Sequence, residues 1–222
     1  MPGVDDALSR IRGALPRARA NARVVAALTD NPGCQRRRVI DSAGVRAHDL
    51  AEHLGHPVTR GQSPFAITTG NRFERRLKEE SNYERLAEVL RPFVDVPTTG
   101  LRWKDLGAKK QGAKFGVPWL EERVKATDEV LVDIARGKRG APHIVDHPVL
   151  SFDLAGARVF LEPDVLAFRA GDELQLVEIK SFAVIDGQAD PAKLSATGGQ
   201  AAVYLLALRA TLERLGLDPD KL

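Results

Sequence analysis

Apolar positions recur along the 222-residue chain with two periods, one helical and one alternating as in strands. Residues 5–29 place Leu8, Ile11, Leu15, Val24, Val25 and Leu28 at roughly helical spacing, with Pro16 restarting the pattern. Asn31-Pro32-Gly33 reads as a turn. Two short helices are predicted next, in CQRRRVIDSAG and in VRAHDLAEHLG, the second ending at Gly55 ahead of Pro57. Residues 56–69 read as loop or short strand. From Asn71 to Val94 the pattern is helical again, with Phe73, Leu77, Leu86, Val89 and Leu90 on one side. Residues 97–118, punctuated by Gly, Lys and Pro, read as a long loop. An amphipathic helix follows from Trp119, with Gly137 as its stop. A short strand is predicted within 147–154. Two longer strands come next, RVFLEPDVLAFR and LQLVEIKS, joined by AGDE. The last helix is SATGGQAAVYLLALRATLERLG.

Composition narrows the class. With 43% hydrophobic and 28% charged residues, the balance is that of a soluble globular protein. A chain of this length buries a core without staples. Cys34 is the only cysteine, so neither an internal disulfide nor a Cys-built metal cluster can be completed from these residues. The first residues lack an apolar leader core, and no run reaches the ~18 apolar residues of a membrane span, so a cytoplasmic protein is expected. The net charge of +3 hides an asymmetry: residues 1–140 carry 26 Lys and Arg against 18 Asp and Glu, residues 141–222 carry 7 against 12. A basic part beside an acidic one suits a polyanion binder that also needs cations.

The acidic part concentrates its chemistry in the predicted hairpin. With a turn centred near Gly171, opposed residues have numbers summing to 342, which sets Asp164 across from Glu178 and Glu162 across from Lys180. Opposed side chains lie roughly 5 Å apart on one face. Two like charges so placed call for a cation between them, and hard oxygen ligands suit Mg²⁺ or Mn²⁺. The two-residue period puts Glu178 and Lys180 on one face, with Val177 and Ile179 on the other. The competing reading, a solvated hairpin with salt bridges, fits poorly with Phe160, Leu161, Val165, Leu166, Leu174 and Leu176, which make both strands apolar on both faces.

The stretch EPDVLAFRAGDELQLVEIKS, with Pro163-Asp164 followed by Glu178-Ile179-Lys180, resembles the PD-(D/E)xK nuclease superfamily. Gln200 and Tyr204 match the QxxxY motif of its RecB-like branch, which includes CRISPR-associated exonucleases, and Gly70-Asn71-Arg72-Phe73-Glu74 resembles the upstream GxxxE motif at a helix start. The resemblance covers residues 68–208. It implies an α/β fold with a restriction-endonuclease-like core, a central mixed β-sheet flanked by helices, here over residues 61–222 behind a helical extension at 1–60. It implies a Mg²⁺- or Mn²⁺-dependent deoxyribonuclease, exonuclease-like, serving repair, recombination or phage defence. Asp164, Glu178, the backbone carbonyl of Ile179 and Glu74 would hold the metal, Glu74 at a position where many relatives carry His. Lys180 would orient or activate water, and Gln200 and Tyr204 would support the lysine and the bound strand. Local alternatives remain: Asn71 with Glu74, and Thr197 with Gln200, also fit capping boxes, and Tyr204 also fits plain core. A non-catalytic nuclease-fold module that binds nucleic acid or a protein is the rival function.

Other residues carry weaker signals. Trp103, Lys104, Lys109, Lys110 and Lys114 interleave aromatic and basic groups, as single-strand DNA binding requires, and also fit a solvated loop. Arg36, Arg37 and Arg38 read as solvent-facing. His48, His53 and His56 lack a fourth zinc ligand, and His143 and His147 read as structural. Relatives with an iron–sulfur cluster use one N-terminal and three C-terminal cysteines, of which only Cys34 has a counterpart here. After the last helix only LDPDKL remains, too short and charged for a buried central strand. The expectation is therefore a fragment of a longer protein, with an open sheet edge that self-associates or takes up the N-terminal segment.

Overall fold

The computed structural model describes residues 3–30, 33–56, 64–94, 96–97, 99–107, 116–154, 156–168 and 174–220. Four helices open the chain, α1 (Val4–Arg12), α2 (Ala22–Asp30), α3 (Gln35–Ser42) and α4 (Ala47–His53). Then come α5 (Pro64–Leu77), a 3₁₀ turn (Glu79–Ser81) and α6 (Glu84–Leu90). Strand β1 (Trp103–Asp105) precedes the long helix α7 (Val117–Ala135). Strands β2 (Ile144–Asp146), β3 (Leu150–Leu154), β4 (Ala157–Leu161), β5 (Val165–Phe168) and β6 (Leu174–Val177) follow. A small hairpin, β7 (Val184–Ile185) and β8 (Gln188–Ala189), leads into α8 (Pro191–Arg214).

The protein is thus α/β with a mixed sheet. The central sheet runs β1-β2-β5-β6, with β1 parallel to β2 and the other pairs antiparallel. Its inner strands β2 and β5 are buried on both faces, and the two-residue period sorts their side chains. Val145, Leu166 and Leu174 point to one side, into the core built with α2, α7 and α8. Ile144, Val165 and Ala167 point to the other, against Leu86, Ala87 and Leu90 of α6. Val165, Leu166 and Ala167 are fully buried, which is why β5 reads as a continuous apolar run.

Several elements differ from the sequence expectation. RVFLEPDVLAFR is two strands: β4 pairs with β3 in a separate hairpin, and β5 begins only after Pro163. Proline brings no N–H to a ladder, so the chain changes sheets there. Helix α5 starts at Pro64, where the loss of an N–H is harmless, and so includes residues expected as loop or strand. The helix expected through 71–94 is in two pieces: α5 ends at Leu77, a 3₁₀ turn follows, and Asn82 and Tyr83 adopt left-handed backbone (φ 47° and 65°) before α6 begins. Phe73 and Val89, on the apolar side of that pattern, are 41% and 57% exposed. β1 lies inside the expected loop. The last helix starts at Pro191 rather than Ser195, capped by Asp190, whose carboxylate accepts from the N–H groups of Ala192 and Lys193. Thr197 and Gln200 therefore lie in the body of α8, and Asn71 and Glu74 in the body of α5, so neither pair is a capping box.

The N-terminal helices are not a detached layer. Ala22 and Ala26 of α2 are buried against α8, their small side chains allowing close approach, while Leu8, Ala43 and Val45 form a minor cluster of their own. Being helical, this segment does not fill a sheet edge among the described residues, where β1 and β6 are the outer strands. No described helix is long and apolar enough to cross a membrane.

Leu208 of α8 is fully buried and Leu206 is 60% exposed. Leu208→Ala is expected to cost about 2–5 kcal/mol in urea unfolding. Leu206→Ala should stay within about 0.5 kcal/mol of the parent.

Candidate active site

The hairpin ladder has the expected register, with Val165 opposite Val177 and Leu166 opposite Leu176. Asp164 and Glu178 sit one step beyond the last paired residues, where the strands splay. One further bond crosses the gap: the Ile179 N–H donates to Asp164 Oδ2 at 2.7 Å. The ladder does not continue to the expected Glu162–Lys180 pair. Glu162 turns instead to Arg123 of α7, 2.6 Å from its Oε2.

A cleft of about 750 Å³ opens at this end of the sheet, lined by Glu74, Asp164, Ile179, Lys180 and Gln200 among others. Glu74 comes from α5. That helix passes close to the segment after Lys180: a Cβ at Gly70 would lie 3.3 Å from Ser181 Oγ, so a glycine eases the approach. Glu178 is well enclosed, its side chain 5% exposed. Its Oε1 accepts from Lys180 Nζ and, at 2.7 Å, from Gln200 Nε2. Gln200 also donates to the Tyr204 hydroxyl at 3.0 Å, and that hydroxyl donates to the Glu162 carbonyl at 3.0 Å. The QxxxY pair therefore braces Glu178 and the β4–β5 break, where support of Lys180 had been expected. Tyr204 is core as well, 4% exposed.

Glu178 Oε2 is buried and has no hydrogen-bond partner among the described residues. Burial raises the carboxyl of Glu178 above its ordinary range, the Asp164 charge adds to this, and Lys180 offsets only part. Burial likewise raises Asp164, against the Ile179 N–H and Lys180, with Glu74 adding repulsion. The Asp164 charge thus disfavours the Glu178 anion, which keeps a bare oxygen, and Glu74 disfavours that of Asp164, a crowding of acids that a cation would relieve.

A second network, missed from sequence, lies behind Glu74. Lys78, 2% exposed, reaches Glu74 Oε1 and Asp146 Oδ1 at 2.6 Å each, and the Asp164 carbonyl at 3.3 Å. Burial alone would lower its ammonium, but Asp146 and Glu74 outweigh this and hold it above its ordinary value. The Tyr83 hydroxyl donates to Asp146 Oδ2 at 2.5 Å. His147 Nδ1 lies 3.0 Å from Asp105 Oδ1 and 3.2 Å from Asp146 Oδ2. Asp105, Asp146 and His147 are near enough to one another to share an ion. Both Asp146 oxygens are already engaged by Lys78, Tyr83 and His147, however, so this trio calls for a cation far less than Asp164 and Glu178 do. Arg123 closes the arrangement, donating to the His147 carbonyl at 2.6 Å while stacked over Trp119. The sequence signal for Lys78 was only a Glu-to-Lys spacing of four on a helix, which ordinarily marks a surface pair.

The remaining expected residues lie elsewhere. Trp103 is 43% exposed and stacks on Tyr83, centroids 4.5 Å apart, beside a different hollow. Lys104 is exposed on β1 and does not line the cleft, while Lys109, Lys110 and Lys114 fall outside the described residues.

Three outcomes are expected. Lys78→Met leaves Asp146 buried without its countercharge and should cost about 3–5 kcal/mol in denaturant unfolding. At Gly107 a Cβ would meet the His147 ring at 2.8 Å, so Gly107→Ala should cost about 1–3 kcal/mol and shift the His147 ring resonances in NMR. The hydrogen bond to Asp105 raises the His147 imidazole above 6.5 despite burial. Its stabilisation is then full below pH 6.5 and fades as pH rises through the folded value. In a thermal-unfolding series across that range, His147→Gln should show a shallower decline than the parent.

Comparison with protein-family models, curated proteins and solved structures finds no match, so the geometry and the motif resemblance carry the functional reading.

Proposed function

We propose that the protein is a divalent-metal-dependent deoxyribonuclease of the PD-(D/E)xK type, RecB-like branch, working in the cytoplasm on a restriction-endonuclease-like core. The observation that carries this reading is the buried, unpartnered Oε2 of Glu178 in a site shared with Asp164 and Lys180. The donor set, all carboxylate oxygen, fits Mg²⁺ or Mn²⁺. Asp164, Glu178 and Glu74 would hold the ion, which when bound acidifies water and neutralises phosphate.

The chain's own groups divide the remaining work. The Ile179 N–H fixes one Asp164 oxygen, leaving the other for a ligand. Gln200 and Lys180 both hold Oε1 of Glu178, so its free oxygen keeps one orientation. Lys180 lines the cleft and offers an ammonium where negative charge builds on a phosphodiester under attack. Lys78 holds Glu74 from behind, so this acid reaches the cleft at a fixed angle.

The test is cleavage of end-labelled single- and double-stranded DNA in Mn²⁺ or Mg²⁺, with an EDTA control. Asp164→Asn, Glu178→Gln and Lys180→Met should each lower the rate by about 10²-fold or more. Mn²⁺ should raise the thermal midpoint of the parent, by the equivalent of about 2.7 kcal/mol at a hundredfold excess over Kd, and leave Glu178→Gln unmoved. A parent that binds DNA without cutting it would establish the binding-module alternative. Variants that cut at the parental rate would refute the site.

A further inference from the structure

The ammonium of Lys78 sits in a setting that suits a cation of higher charge. It has three N–H groups and three acceptors, Glu74 Oε1 and Asp146 Oδ1 at 2.6 Å each and the Asp164 carbonyl at 3.3 Å. Two carboxylates and a carbonyl converging on one buried point make the kind of oxygen set that elsewhere holds a hard divalent ion. Here a charge attached to the chain fills it. The Lys78 side chain is 2% exposed, so this cation does not exchange with ions from solution.

Two of the three acceptors belong to residues of the candidate site. Among the described residues the side-chain contacts of Glu74 run through Oε1, and Glu74 also lines the cleft, so its second oxygen remains available there. Asp164 gives Lys78 its carbonyl and keeps its carboxylate for the cleft. Sites with two metal ions hold neighbouring cations through shared residues of this kind. The other place for a second ion is the trio of Asp105, Asp146 and His147, and hydrogen-bond donors already take its oxygens. Asp146 Oδ1 accepts from Lys78 and from the His147 N–H at 3.1 Å, and Oδ2 from the Tyr83 hydroxyl at 2.5 Å. Asp105 Oδ1 accepts from the Gly107 N–H at 2.7 Å and faces His147 Nδ1 at 3.0 Å. A divalent ion entering the trio would have to displace those donors and settle beside an ammonium.

We propose that Lys78 is a built-in counter-cation standing where a second metal ion would otherwise sit, so that the cleft takes a single divalent ion, held at Glu178 and Asp164. The inference rests on the metal-dependent reading of the same cleft and adds to it the number of ions and the residue that sets that number. Lys78 acts through Glu74 and Asp164 and touches neither substrate nor ion, so it is a positioning residue. A lysine that served only to hold the fold would leave the number of bound ions the same when replaced. A lysine that occupies a cation position would leave behind, when shortened, an oxygen set able to take up an ion.

The ions are counted by titrating the full chain with Mn²⁺ in the absence of DNA and following the loss of the free-ion signal in electron paramagnetic resonance. The parent is expected to bind one Mn²⁺ per chain and Glu178→Gln none. Asp105→Asn should keep the single ion at unchanged affinity. Lys78→Ala, titrated once circular dichroism shows it folded, should bind two, with spin–spin broadening from the neighbouring ions. A parent that binds two ions overturns the proposal, and that count needs no variant to fold. So does a single ion lost in Asp105→Asn and kept in Glu178→Gln, since the ion then sits in the trio. A folded Lys78→Ala that still binds only one overturns it as well. A parent that binds two ions and cleaves DNA leaves the nuclease reading intact, whereas a parent that binds none and does not cleave refutes both.

Discussion

The buried pair Lys78–Asp146 is the constraint on which the geometry around the cleft depends. Both side chains are at most 2% exposed, and a charge so enclosed is tolerated only when paired and hydrogen-bonded. Asp146 ends a three-residue strand in the middle of the sheet, and Lys78 immediately follows α5. Their contact fixes the distance between helix and sheet. Because the same ammonium also holds Glu74 and the Asp164 carbonyl, it joins the acid from α5 to the acid from the hairpin. Removing either partner would disturb the relation between those two carboxylates before it disturbed the carboxylates themselves.

The opposite side of the sheet is organised by a second set of bonds. Tyr204 and Gln200 of α8 reach across to the Glu162 carbonyl and to Glu178, while Arg123 of α7 holds the Glu162 side chain. The segment Glu162-Pro163-Asp164, where the chain passes from one sheet to another, is therefore gripped from both helices. Such irregular backbone would otherwise be free to vary. Here it places Asp164 at the end of a strand buried on both faces, whose own register cannot slip without moving its apolar side chains.

How far the sequence disclosed this depends on how local each signal is. The ladder register was legible because two apolar runs and a short turn determine it between them. Asp164, Glu178 and Lys180 could be set near one another by counting on from that ladder, although they lie just outside its short strands, and Gln200 lies on a long, regular helix. β1 and β2 were missed because three residues are too few for a period. α5 was begun too late because its first turn holds Phe65, Ala66 and Ile67, which suit a strand equally well. Phe73 follows the apolar side of its helix yet is exposed, because periodicity reports which residues are apolar, not which face the fold covers. The Lys78 network was out of reach, since Glu74, Tyr83, Asp105, Asp146 and His147 share no spacing and meet only through the topology.

Tyr83 and His147, on either side of Asp146, both hold left-handed backbone, with φ of 65° and 48°. For residues with a Cβ this costs on the order of 1–3 kcal/mol each. Glycine would relax either turn, yet it would delete the hydroxyl or the imidazole that Asp146 requires. The two demands on each position are opposed, so neither can be tuned for conformational ease without releasing the buried carboxylate. These are sites where selection for thermal robustness and selection for a fixed polar geometry pull in different directions, and the residues present resolve that conflict in favour of geometry.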